Sequence, residues 1–470
     1  MRLLVVGGGP AGVAASLQAR ELGENVTLLE AGQVGGTNWN RGPAPVRTMA
    51  RAARLLRESS SWAGFGLEGP PPVPNLEAVL ANSARVAHYV HDKKDMAGHL
   101  RRGGIDLVDH LGPVRFLGPH TVRTEDGRSW QGDRIIVTVG CRAAPLPVPG
   151  GDLALTYNDI QTLKALPREV AVIGGADTGC QLASIFADFG VSVRLFEAGP
   201  ALVPTADASI SAALRAAFEN KGMEVLTGAR VLNLEDRGEQ VIVRFSRGDT
   251  TERCDVDAVF AAVGWPANLE HLDLDAAQVT SNRQAIPVDD YLRTNVEHIF
   301  AAGDVNGRSK LVQSARMEGR LAAWNAIRGP SRQPAYDAVP SGSFTDPEYG
   351  SVGLTESQAA RDHDVAVGIA RYDDMLRPVA DGHPDGFCKL IADRRSYRIL
   401  GAHVLGNYSA EVVQVVATAM CAGMNIEQLA EMQFAFPTFT EGVSMAAQKA
   451  CRAIGIGQFP PAWSSLESLD

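Results

Sequence analysis

The sequence predicts an α/β fold built on two Rossmann-like units, and three observations predict it. An apolar strand, Leu3-Leu4-Val5-Val6, runs straight into Gly7-Gly8-Gly9-Pro10-Ala11-Gly12. A second, Val170-Ala171-Val172-Ile173, runs into Gly174-Gly175-Ala176-Asp177-Thr178-Gly179. Each turn leads to a helix-period stretch and then a strand closed by a glutamate, Glu30 or Glu197. Strand, glycine turn, helix and a second strand with a terminal acid make up a dinucleotide-binding unit.

In the first unit the helix is expected over Val13 to Leu22 and the second strand over Val26 to Leu29. The turn Gly7, Gly9, Pro10, Ala11, Gly12 bends tightly and lets backbone approach a pyrophosphate at the helix N-terminus. Glu30, about 20 residues on, can accept from ribose hydroxyls. A lone G-x-G-x-x-G is weak; with the strand, the helix and the acid it is strong. In the second unit the helix is expected over Gln181 to Phe189 and the strand over Val191 to Phe196. Ala176 takes the middle glycine position, which a close approach still tolerates. Ile135 to Gly140 reads as a buried strand closing in a turn, with Thr138 and Gly140 at its end. Two such units suggest two dinucleotides meeting face to face, as hydride transfer between cofactors requires.

The chain has 470 residues, enough for roughly two to four domains. Net charge is −10, which disfavours nucleic acid or an anionic membrane as partner. No apolar run approaches the ~18 residues of a spanning helix, and no signal-peptide pattern precedes the first strand. A cytoplasmic protein is therefore expected. The six cysteines are scattered singly, without C-x-x-C spacing, and read as reduced packing thiols. That includes Cys141 and Cys180. The ten histidines are scattered too, and no metal site is read.

Further motifs follow in order. Gly35 to Arg47 reads GGTNWNRGPAPVR, and Ala262 to Asn268 reads AVGWPAN. Thr294 to Asp304 reads TNVEHIFAAGD, and Leu311 to Gly319 reads LVQSARMEG. A Pro- and Ser-containing linker near 329–343 precedes Phe344-Thr345-Asp346-Pro347-Glu348 and Val352-Gly353-Leu354-Thr355-Glu356. Phe434 to Glu441 reads FAFPTFTE. Together these resemble the FAD-dependent pyridine nucleotide-disulfide oxidoreductases, which include dihydrolipoamide dehydrogenase, glutathione reductase and mercuric reductase. The resemblance spans residues 2–455.

It implies an FAD-binding domain over 1–150 and 275–330, an NAD(P)H-binding domain over 151–274, and an α+β dimerisation domain over 336–460. Strands at Phe387–Ile391 and Ile399–Leu405 and a helix over Ala410 to Met420 fit that last domain. It implies FAD contacts from Gly36, Thr37, Thr138, Gly140, Gly303 and Val312, with Asp304 on the ribityl chain. It implies NAD(P)H contacts from Gly174, Gly175, Ala176, Asp177, Gly179, Glu197 and Gly264. It also implies a homodimer in which residues 434–441 of one subunit reach the flavin of the other.

The departures carry as much as the matches. In the family the disulfide helix reads roughly GGTCLNVGCIPSK; here Asn38 and Pro43 replace both cysteines, and Arg47 the lysine. Gln181 replaces the glutamate paired with that lysine, and Asp177 replaces an aromatic gate over the nicotinamide. In the C-terminal motif Phe434 and Phe436 replace two histidines, while Glu441 remains. A thiol-activating base has no use without a thiol, so these losses agree with one another. They leave an apolar pocket at Asn38, Trp39, Pro43, Phe434 and Phe436, either open to a planar substrate or filled by those side chains. Glu197, with no arginine pair after it, favours NADH over NADPH.

The expected function is an FAD-dependent NAD(P)H oxidoreductase without a dithiol relay. Its acceptor would be small and apolar, a quinone or an activated double bond, with Arg47, Gln181 and Glu441 at the site. Two other readings stand beside it. One is a flavin-dependent dehydrogenase or oxidase of a biosynthetic intermediate, reoxidised by O2 or NAD+. The other is a non-catalytic regulatory flavoprotein.

Overall fold

The computed structural model describes residues 1–40, 42–282 and 284–457, without the side chains of 43–45, 90, 91 and 94. Two five-stranded parallel sheets dominate. The first has the order Ile299–Ala301, Arg134–Val137, Arg2–Val6, Asn25–Leu29, Asp106–Val108. The second has the order Glu224–Thr227, Ser192–Glu197, Glu169–Ile173, Ala258–Ala261, Leu155–Thr156. Their central strands are apolar on both faces, as a strand covered on both sides must be: Leu3 to Val6 and Val170 to Ile173 are buried throughout. In each sheet the strand order reverses at the central strand, and the glycine turn leaves its carboxyl end. That reversal opens the crevice in which such sheets bind ligands.

The two helices after these turns span Pro10–Glu21 and Asp177–Asp188, about a turn earlier than hydrophobic period alone predicts. Pro10, with its fixed φ, starts the first directly behind Gly9. Each sheet carries a three-stranded antiparallel flap, over Val114–Gln131 and Ala229–Val256.

The third sheet is antiparallel, ordered Ser341–Ser343, Tyr349–Gly353, Ile399–Leu405, Phe387–Asp393, Val365–Arg371. Helices Ser409–Cys421 and Glu441–Ile454 pack on it through Val412, Val413, Val416, Val443 and Ala447. The stretch expected as a linker ends in an edge strand, because Ser341–Ser343 pairs with Ser351–Tyr349.

One hydrophobic core unites the parts. Val46 and Met49 of the helix Pro43–Glu58, Phe186 and Leu214 of the second Rossmann-like unit, and Tyr349 and Leu405 of the third sheet share it. Two charged clusters pin the same junction. Asp346 takes Arg57 and Lys221, and Lys221 also donates to Asp188 at 3.0 Å. Burial lowers the Lys221 ammonium to about 8. Deeper in, Lys389 Nζ lies 2.7 Å from Asp207 and 2.6 Å from Glu356.

Candidate active site

A cavity of about 1910 Å³ runs from the carboxyl end of the first sheet, past the second, to the third. The first glycine turn builds one end of it. Gly7 has φ +106, and a Cβ there would meet the Thr138 carbonyl at 2.5 Å. The Thr138 hydroxyl donates to the carbonyls of Val6 and Gly7 and closes the turn from beneath. Gly12 lies behind the lining: its Cβ would fall 1.9 Å from the Gly7 carbonyl oxygen. Gly9 differs. Its φ is −74, open to any residue, and a Cβ would find nothing nearer than Gly36 Cα at 3.8 Å. Nothing in the chain requires glycine there, so the space it leaves suits a ligand brought against the backbone.

The first helix has no side-chain cap, which leaves its first N–H groups facing the cavity. Glu30 stands beside them with both oxygens fixed. Oε2 accepts the Gly8 N–H at 2.6 Å and Oε1 the Gly32 N–H at 2.8 Å. Pro10, Ala11, Gly36, Thr37, Asn38, Gly140 and Val312 line the same space. Gly303 and Asp304 enter from the strand Ile299–Ala301. Burial pushes the Asp304 carboxyl up, against the pull of Lys310.

Glu318 holds that turn, a role the motif reading passed over. Fully buried, it accepts from the Gly303 N–H at 2.7 Å, Asn306 Nδ2 at 2.6 Å and the Tyr336 hydroxyl at 2.8 Å. A glycine cradle, free helix N–H groups, a fixed carboxylate for ribose and a buried aspartate fit FAD.

The second glycine turn repeats the first at the cavity's edge. Gly174 has φ +110, and a Cβ on Gly179 would lie 1.7 Å from the Gly174 carbonyl oxygen. Glu197 accepts from Gly175 N at 2.7 Å and Gly199 N at 2.6 Å, as Glu30 does in the first unit. Ala176 is extended, φ −84 and ψ −173, nearly the conformation of Gly9, so its methyl group costs no backbone strain. Gly174, Gly175, Ala176, Gly179, Glu197 and Gly264 stand outside the cavity lining, whereas Asp177, Gln181 and Trp265 belong to it.

Asp177 begins the helix and accepts a short hydrogen bond from the Tyr349 hydroxyl. Tyr349 is a buried residue of the third sheet, and burial pushes its phenol well up. Trp265 Nε1 donates to Thr178 Oγ1 at 3.1 Å and packs edge-on against Tyr157. Aromatic rings therefore surround this end, although position 177 has lost its own.

The remaining expected residues scatter. Arg47 does not line the cavity: its guanidinium lies over the Phe344 ring at 4.0 Å, and Phe344 does line it. No hydrogen bond joins Arg47 to Gln181 among the described residues. The aromatic ring captured the guanidinium, which stacks readily. Trp39 likewise turns away from Asn38. It lines a second hollow of about 650 Å³, against the outer faces of the helices Pro10–Glu21 and Val312–Arg328. The reason is local: the five-residue helix Gly36–Asn40 sends successive side chains to different sides. The side chain of Pro43 lies outside the described residues.

Phe434, Phe436 and Glu441 line neither space within one chain. Phe434 packs on the third sheet's core, while Phe436 is 69% exposed. Glu441 opens the last helix. Its buried Oε2 has no hydrogen-bond partner among the described residues, and burial pushes its carboxyl up. Cys141 donates to the Asp304 carbonyl and Cys180 to the Gly175 carbonyl. Burial raises the Cys141 thiol to about 11 and Cys180 higher. Neither is poised as a nucleophile.

These features define a flavin- and nicotinamide-dependent oxidoreductase, and comparison with known proteins agrees. The profile for pyridine nucleotide-disulphide oxidoreductases matches residues 1–319, and that for their dimerisation domain matches 339–447. The chain belongs to this family, without the cysteine pair that names it. It is 31% identical to dihydrolipoyl dehydrogenase of Zymomonas mobilis over 94% of this chain and 96% of that one. It is 28% identical to mercuric reductase of Lysinibacillus sphaericus, over 95% and 82%. Its fold matches LpdA from Mycobacterium tuberculosis with a TM-score of 0.87 at 23% identity, over 96% and 99% of the two chains. Members of the family use FAD and NAD(P)H. Among the described residues, no helix is long and apolar enough to cross a membrane.

Proposed function

We propose that this protein is a thiol-free NADH oxidoreductase that reduces a small planar acceptor such as a quinone or an activated double bond. The observation that carries the reading is a cavity built on the first glycine turn with Asn38 on its wall where the family has a cysteine; the thiol that also lines it, Cys141, is buried, donates to the Asp304 carbonyl and is pushed up to about 11. FAD, when bound, supplies a two-electron carrier between nicotinamide and acceptor. The balance is NADH, one proton and a quinone giving NAD+ and the hydroquinone.

On this reading residues 1–150 with 275–330 hold FAD, 151–274 hold NADH, and 336–460 form a homodimer. Exposed Phe436 and half-buried Glu441 then face the partner's acceptor site. A carboxyl raised by burial, as in Glu441, supplies the proton the acceptor takes up. Asp177, tied to Tyr349, and Gln181 set the nicotinamide end, and the stationary cation of Arg47 steadies charge beside it. NADH is preferred because Glu197, which accepts from the Gly175 and Gly199 N–H groups, stands where a 2′-phosphate would need a cation. The free cysteines suit a reducing compartment, which supports a cytoplasmic location.

Alkylation tests this reading. Activity of the NADH-reduced enzyme toward menadione is expected to survive N-ethylmaleimide. Inactivation that requires prior NADH reduction would show a working thiol and overturn the reading.

A further inference from the structure

We propose that Lys310 raises the potential of the flavin by holding the negative charge that the ring carries once reduced. The inference rests on the flavin reductase reading and names a cation for it on the cavity wall itself. A hydride carries two electrons and one proton. NADH and oxidised FAD therefore give NAD+ and a reduced ring with one added negative charge. A fixed cation beside that ring stabilises the reduced form.

Arg142 and Lys310 are the only arginine and lysine that line the main cavity among the described residues, since Arg47 lies over Phe344. Arg142 is paired with Glu270, whereas Lys310 is in no ion pair among the described residues. The backbone of Lys310 belongs to the FAD side, between the turn at Gly303 and Asp304 and the helix Val312–Arg328. Its Nζ crosses to the second Rossmann-like unit and donates to the Trp265 carbonyl at 2.6 Å. Trp265 in turn donates to Thr178, the neighbour of Asp177 at the nicotinamide end. The side chain thus runs from the region of Asp304, the proposed ribityl ligand, to the nicotinamide end. Rings that exchange a hydride must meet with reacting atoms about 3–3.5 Å apart, so the flavin ring has to bridge the same two ends. The ammonium stands at that seam with two of its three N–H donors left over. Its charge also reaches Asp304 and Cys141, and pulls both groups down against the rise that burial causes. Solvent touches the side chain, which keeps the effect moderate.

Electrochemical titration of the purified holoenzyme against a reference dye, without NADH or acceptor, tests this. In Lys310→Gln, which can still donate to the Trp265 carbonyl, two-electron reduction is expected to be about tenfold less favourable, a potential lower by about 30 mV. Lys310→Glu should be about 100-fold less favourable, or about 60 mV. Lys310→Arg should stay within about twofold of the wild type. A merely structural role for Lys310 would not order the potentials by charge. An unchanged potential in Lys310→Gln, a series out of charge order, or loss of FAD from Lys310→Gln would each overturn the inference. A charge-ordered series in a protein that reduces no quinone would leave the role of Lys310 standing and remove the reductase reading alone. A protein that binds no FAD would overturn both.

Discussion

Gly12→Ala is expected to give a protein that purifies without FAD and melts early. The added methyl group would sit 1.9 Å from the Gly7 carbonyl oxygen and 2.8 Å from Thr138 Oγ1. The nearest obstacle is backbone, so no rotamer relieves it, and the turn that opens the first helix must come apart. Clashes of that kind fall in the exceptional class above about 4 kcal/mol. Gly9→Ala is the matched control. Its methyl group would meet nothing nearer than 3.8 Å, and its backbone already sits where alanine is comfortable. The Gly9 variant should fold with the wild-type apoprotein melting temperature and still bind FAD more weakly. The ratio of flavin to protein absorbance and scanning calorimetry of both apoproteins check the pair. Full FAD retention by Gly9→Ala would mean that no ligand approaches that backbone.

Asp207→Ala is expected to cost about 3 kcal/mol, because it leaves a buried lysine with only the half-exposed Glu356 as its counter-charge. Asp207 caps the helix Ala208–Asn220 through Ser209 N and accepts from Lys389 Nζ and the Glu356 N–H. Lys389 is only 4% exposed, and its other partner, Glu356, is half in solvent. Burial pushes the Asp207 carboxyl up, but the bonds from Lys389, Ser209 and Glu356 outweigh it and hold the group well below the ordinary range.

A carboxyl depressed on folding stabilises the native state above its unfolded pKa, about 3.9. That stabilisation disappears as pH falls through the folded value. Wild-type stability should therefore decline below about pH 4, and Asp207→Ala should lose that part of the decline. Removing the pair together, as Asp207→Leu/Lys389→Met, should recover most of the loss. The remaining deficit is that of a missing helix cap, about 1 kcal/mol. Urea unfolding from pH 3 to 8 measures all three proteins.

What the sequence made legible follows from how local each signal is. The two glycine turns, their strands and the terminal glutamates are contiguous, and each has one stereochemical solution. Glu30 and Glu197 accept N–H groups of their own turns, a contact that the ribose reading of the pattern does not contain. The flaps at 114–131 and 229–256 left no such mark. Their strands alternate arginine and glutamate with apolar residues and declare themselves only once paired.

The site itself was less legible where it depends on distant contacts. Arg47 sits where the motif puts it in the chain, yet its side chain belongs to Phe344, hundreds of residues away. Asp177 looked like a lost gate until Tyr349 supplied its partner from another sheet. Trp39 was read by adjacency to Asn38, but helical geometry turned it to the opposite wall. There it lines a second hollow on the outer faces of the helices Pro10–Glu21 and Val312–Arg328.

On the proposed function, reducing equivalents cross this protein without a thiol. The most direct test is anaerobic titration of the purified holoenzyme with NADH, followed by its visible spectrum. Stoichiometric bleaching of the oxidised flavin is expected, with no long-wavelength thiolate–flavin band at any stage. Such a band would contradict it by revealing a working thiol, and failure of NADH to bleach the flavin would contradict the hydride path itself.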